Sequence, residues 1–292
     1  MRRAPYLVIP ALAVALAASL ALAAASGVGK KLMGGRDFAT NVTISFTAPK
    51  GYKIDAANGY ENWRGPDFTN LDIGSSDLES GLHFDVHTAS TRSVERAARD
   101  KTGKDMGGIP TEQVEAGPIG VPHIVRGRKV GVIRGFYLVR QSTKKNYQGW
   151  TDAAVAFWLG RGYPVLVADV NTTAPSADEY QRIEDMLPSV WNKRVVEEGI
   201  RGIAVEGNLA PRTITAHVSG RRIAGRATDT LGHAIVGANV TLRKPGGKPC
   251  CTAVTRATGA FTLNVPRSAG TGAFQLSVAA GGAKLTKSVK IG

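Results

Sequence analysis

Residues 223–242 read I-A-G-R-A-T-D-T-L-G-H-A-I-V-G-A-N-V-T-L, and residues 252–266 follow with T-A-V-T-R-A-T-G-A-F-T-L-N-V-P. A third run, A-F-Q-L-S-V-A-A, occupies 273–280. Apolar residues fall at every second place in short β-branched runs, and Gly, Pro and Asp punctuate them. That period, broken by turn residues, is how a small all-β sandwich is written. From Arg212 to Gly292 the chain also carries twelve Lys or Arg against one acid, Asp229. The tail therefore holds +11 of the chain's net +14.

Working outward, the 292 residues suggest about two domains. Arg2 and Arg3 precede an uncharged, Ala-, Leu- and Val-rich run from Pro5 to Ala25 with small residues at its exit. This is the layout of a secretory signal peptide over residues 1–25, cut after Ala23 or Ala25, the alternative being an uncleaved anchor. Residues 26–38 read as a flexible lead-in. Export permits disulfides, but the two cysteines, Cys250 and Cys251, are adjacent. Two thiols at a turn, a strained vicinal disulfide and an intermolecular link are the three readings, because neighbouring Cα atoms sit closer than an ordinary bridge prefers.

Between these ends, residues 39–198 read as a separate α+β domain, a mostly antiparallel sheet with helices, placed ahead of the all-β sandwich at 212–292. Val42, Ile44 and Phe46 alternate with polar residues, as do Leu82, Phe84 and Val86. Ser90 to Thr102 changes to a helical period, with Ser93 or Thr91 able to cap it. Residues 103–122, rich in Gly and Pro, read as loop with a brief strand. Strands are expected over R-K-V-G-V-I-R-G-F-Y-L-V-R, Thr151 to Leu159 and Tyr163 to Val170, and a helix over Ala177 to Val196. Residues 199–211 read as a linker, with room for one short strand.

No motif of nucleophilic, zinc-protease or nucleotide chemistry is present. Accordingly no catalytic, cofactor-binding or metal-binding residue is expected, and the chain reads as a non-enzyme. His83, Asp85 and His87 share one strand face. Their spread of about 13 Å at strand rise allows at most two to meet one ion, so a solvated polar face explains them more simply. Tyr60, Trp63, Tyr147 and Trp150 fall in predicted loops and are the candidate ligand aromatics, while Trp158 and Trp191 fit core faces. Arg221, Arg222, Arg226, Arg243, Lys244, Lys284 and Lys290 are the candidate contacts to an anionic polymer. Nucleic acid fits less well, since basic and aromatic residues are not interleaved.

The first two runs resemble the carboxypeptidase regulatory-like domain, a transthyretin-like β-sandwich. Gly225, Asp229, Gly232, Gly237, Ala238 and Val240 match the first half of its pattern, and Gly259, Phe261, Leu263 and Pro266 match the second. Ala234 stands where Pro is usual, and Arg256-Ala257 where a Thr-Asp pair is usual. The resemblance implies an accessory or adhesion-like module without catalytic residues. Pro49-Lys50-Gly51-Tyr52, with the late strands and helix after it, is similar to the Mog1/PsbP-like proteins, which implies an α/β/α sandwich for the first domain. Together these readings predict an exported binding protein of a bacterial envelope, its basic sandwich docked on an anionic polymer, an acidic surface or another envelope protein. The alternative is a secreted hydrolase using His83, Asp85, His87 or His123.

Overall fold

The computed structural model describes residues 28–33, 42–47, 52–54, 71–75, 81–102, 105–106, 109–143, 151–173 and 197–292. Alternation becomes sheet along most of them. Strands β1 (Val28–Met33), β2 (Val42–Thr47), β3 (Tyr52–Ile54), β4 (Leu71–Ser75) and β5 (Gly81–Ala89) precede helix α1 (Val94–Lys101). Then come β6 (Asp105–Met106), β7 (Ile109–Val125), β8 (Arg128–Ser142), β9 (Thr151–Trp158), β10 (Val165–Thr173) and β11 (Ile203–Glu206). They form one sheet in the order β1-β2-β11-β7-β8-β9-β10-β5-β4-β3, with β6 paired to β7 off that path. Every pairing is antiparallel except β11 with β7.

The middle strands are covered on both sides, and the first seven residues of β9 are all buried. Phe46, Val155, Phe157, Leu166 and Val170 form the core of one face. Helix α1 covers part of the other, setting Ala97 and Ala98 against Leu138, Ala154, Ala156 and Val165. Its start follows from Ser93, whose Oγ accepts from the Arg96 N–H at 3.3 Å. Glu95 in the first turn and Arg99 and Lys101 in the last suit the helix dipole.

The expected α+β class is overturned. Among the described residues the first unit is a single sheet with one helix, α1, and a helical turn at 197–201. The stretch 103–122, read as loop, instead supplies most of β7, the longest strand. Pro118 and Pro122 are tolerated because they share one alternation, whose backbone nitrogens must point away from β8. Beyond β8, β7 is paired only at Ile109 and Pro110 with β6 and at His123 and Ile124 with β11, so no ladder bond is lost at Pro118 or Pro122. The lead-in contributes β1, and the linker contributes β11, whose Ile203, Ala204 and Val205 are buried. The signal segment, the helix expected at 177–196 and Trp191 lie outside the described residues.

The second unit is the two-sheet sandwich that the alternation predicts. β12 (Pro211–Ser219), β13 (Arg222–Asp229) and β16 (Ala260–Asn264) form one sheet. β15 (Pro249–Val254), β14 (Asn239–Arg243), β17 (Gly272–Ala280) and β18 (Ala283–Ile291) form the other, in that order. Ile223, Val240, Leu242, Phe261, Phe274 and Leu276 fill the space between. Burying a side chain such as Phe261 contributes about 1.5–3 kcal/mol. Gly225 has to lack a side chain, because a methyl group there would overlap the Thr215 carbonyl and the Phe261 ring.

Candidate functional site

A tight turn after β13 carries the site. Asp229 Oδ1 accepts from the Leu231 and His233 N–H groups, both at 2.9 Å, and the Gly232 N–H returns to the Asp229 carbonyl. This side-chain-closed turn needs the short Asp carboxylate and the positive φ of Gly232. It pushes His233 out of the sandwich and onto the first sheet. There the imidazole lies over Gly131 of β8, where a methyl group would overlap the ring. Gly131 pairs in register with His123 of β7, so the two histidines meet with their ring centroids 5.1 Å apart.

The geometry fixes the protons. His123 Nε2 lies 2.8 Å from the Gly207 carbonyl oxygen. A carbonyl only accepts, so Nε2 carries the hydrogen and Nδ1 presents a lone pair. His233 Nδ1 is 2.9 Å from that lone pair and donates to it. Asp229 Oδ2 stands 3.6 Å from the same His123 Nδ1 and has no hydrogen-bond partner, though buried. His123 is fully buried and Asp229 is 1 % exposed. Burial pulls the His123 pKa below its ordinary value, against the raising effects of the Gly207 bond and the Asp229 charge. Burial likewise raises Asp229, against the bonds from Leu231 and His233 and the pull of His123.

The same junction joins the two units through other bonds. The Asn208 amide donates to the Val236 carbonyl at 2.8 Å and accepts from the Val236 N–H at 2.9 Å. Thr230 Oγ1 donates to the Leu159 carbonyl, and Arg126 Nη2 donates to the Gly237 carbonyl. Val125, Ala234 and Val236 make a small apolar cluster beside them.

A second buried polar group lies under α1. Asp152 hydrogen-bonds Asp169, and Lys101 pairs with Asp169 at 3.1 Å. Burial first, then the Asp169 charge and hydrogen bond, push the Asp152 carboxyl up to about 9. Asp152 is therefore protonated at neutral pH.

The structure separates the residues singled out from sequence. His83, Asp85 and His87 sit in β5, at register positions facing Asn171, Asp169 and Val167 of β10. His123, on β7, is four strands along the path, separated from β5 by β8, β9 and β10. Tyr60, Trp63, Tyr147 and Trp150 lie outside the described residues. Trp158, expected in the core, is 44 % exposed at the end of β9, its indole N–H bonded to the Tyr163 carbonyl. Cys250 and Cys251 are thiols with Sγ atoms 3.4 Å apart. An irregularity in the β14–β15 register turns both toward the sandwich core, and burial, then Cys250, push the Cys251 thiol up to about 12.

Of the basic residues, Arg221 is spent internally, donating to the carbonyls of Val265, Pro266 and Gly270. Lys244 Nζ sits 5.8 Å from the centre of the Phe274 ring. Arg243 is half-buried in β14. Arg222 and Arg226 are exposed on the outward face of the three-stranded sheet. Lys284 and Lys290 are exposed on the outward face of the four-stranded one, with Thr286 and Ser288 between them. Sequence reasoning missed Asp229, His233, Asp152 and Asp169 as interacting groups: the Asp229–Gly232 spacing marks a turn, but nothing local says which residues meet across the sheet or the junction.

No family model and no curated protein matches the chain. Among solved structures, the complex of the pro- and mature domains of Porphyromonas gingivalis RgpB is similar at 16 % identity over 40 % of this chain and 29 % of that one, with a TM-score of 0.23. The Arg-specific cysteine proteinase gingipain R gives 18 % identity, 39 % and 28 % coverage and a TM-score of 0.23. The BSP domain of a biofilm-associated protein gives 10 % identity, 88 % and 61 % coverage and a TM-score of 0.25. The chain thus spans under a third of the length of the protease chains. The expectation of a non-enzyme is corrected: protease chains stand among the similar structures, so that exclusion is not kept. Likenesses at these TM-scores carry no argument about what chemistry this chain performs.

Proposed function

We propose that this chain is an exported envelope protein whose sandwich docks on an anionic polymer. One observation carries the reading: the sandwich's single acid, Asp229, is buried, so its surface is cationic with no acidic side chain. Arg222 and Arg226 on one outward face, and Lys284 and Lys290 on the other, stand among Thr and Ser hydroxyls. Cations interleaved with hydroxyl donors suit phosphate- or carboxylate-bearing polysaccharide. The signal-like segment at 1–25 supports export, and no helix among the described residues is long and apolar enough to cross a membrane. Gly225, Gly232, Gly237 and Phe261, each in a turn or close approach of the sandwich, support the carboxypeptidase regulatory-like reading of this unit. A Mog1/PsbP-like first unit is not part of the proposal: among the described residues that unit is one sheet with α1 and a helical turn at 197–201.

The full chain carrying Arg222→Glu, Arg226→Glu, Lys284→Glu and Lys290→Glu tests the reading in sedimentation with purified cell wall. Loss of retention, with the native circular dichroism kept, supports docking. Retention equal to the parent overturns it. Hydrolysis is a second reading, favoured by the Asp152–Asp169 pair, in which the Asp152 carboxyl keeps its proton at neutral pH beside a carboxyl that pairs with Lys101. A hydrolytic activity that Asp152→Asn leaves intact would remove this pair from it.

A further inference from the structure

We propose that His123, His233 and Asp229 bind one divalent transition-metal ion, Zn²⁺ by donor set, which clamps the sandwich to the sheet. The donor atoms of the three residues all lie within 4.8 Å of one another. His123 Nδ1 and Asp229 Oδ2 are two acceptors 3.6 Å apart, and the single proton of His233 Nδ1 is bonded to the first of them. A buried acceptor without a donor is costly, and Asp229 Oδ2 is such an atom. A cation placed between the three takes the lone pairs of His123 Nδ1 and Asp229 Oδ2, and that of His233 Nδ1 once the His233 proton moves from Nδ1 to Nε2.

Two of the three donor separations suit a small ion: donors at ~2.0–2.1 Å from tetrahedral zinc stand roughly 3.3 Å apart, and the observed 2.9 and 3.6 Å lie on either side of that. The remaining pair lies within 4.8 Å and would draw together around the ion. The Gly207 carbonyl holds the outer Nε2–H of His123, as an orienting partner does for a metal-bound imidazole. Two imidazoles and one carboxylate favour Zn²⁺ over Mg²⁺ or Ca²⁺, which take oxygen ligands. His123 belongs to the sheet, Asp229 and His233 to the sandwich turn, so the ion ties two units together. The inference does not depend on polymer docking.

Calorimetric titration of the untagged full chain with Zn²⁺ tests it. One ion per chain is expected, with binding lost in His233→Ala and kept in His83→Ala/His87→Ala. X-ray absorption of the zinc-loaded parent is expected to show nitrogen and oxygen ligands only, which holds even if a variant fails to fold. No stoichiometric zinc in the parent, sulfur ligation by Cys250 or Cys251, binding unchanged in His233→Ala, or binding lost in His83→Ala/His87→Ala would each overturn the proposal.

Discussion

Asp152 shows how far a sheet interior can move one side chain. Its pKa of about 9 in the folded chain lies above the unfolded value near 4, so the folded state binds this proton more tightly. The resulting stabilisation is fully present below about pH 4 and is lost as pH rises toward 9. Asp152→Asn keeps the shape and a donor toward Asp169 while removing that equilibrium. The denaturation midpoint of the parent is expected to fall between about pH 5 and about pH 9, and that of Asp152→Asn to fall less. Parallel pH profiles would contradict the assignment. None of this could be read from sequence. Asp152 faces Asn171 in the β9–β10 register, one diagonal step from Asp169, and only a known register makes that pair.

At the scale of elements, strands with clean alternation were legible. Val42–Thr47, Arg128–Ser142, Thr151–Trp158 and Val165–Thr173 are strands where the pattern predicts them, and Ser93 caps the short helix at its predicted start. β7 was hidden because Pro110, Pro118 and Pro122 with Gly117 and Gly120 read locally as loop. Their tolerance depends on which edge of the strand is paired, a tertiary fact. The His123–His233 contact was equally hidden, since 110 residues separate its members. The element that admits His233 is β8, through Gly131. Gly131→Ala should cost about 1–3 kcal/mol, the range for overfilling a packed site, read from urea denaturation. A variant as stable as the parent would show that the ring does not lodge there.

Across the whole molecule, the sheet and the sandwich are held to one another by side-chain bonds to backbone. Asn208 bonds both backbone groups of Val236, and Val236 is buried. Asn208→Ala leaves that N–H and C=O without their side-chain partners, a loss of about 1–3 kcal/mol. Limited proteolysis is expected to cut the variant near 207–211 faster than the parent, and equal rates would contradict a bonded junction. The sandwich so held turns a cationic surface to solvent, its one acid folded inward. Whether that surface docks is decided by the affinity of the full chain for a purified anionic wall polymer, measured across a salt series. Binding is expected to weaken steeply as added salt shortens the screening length from about 10 Å toward about 3 Å, and affinity that holds constant across the series, or no binding at low salt, would contradict docking.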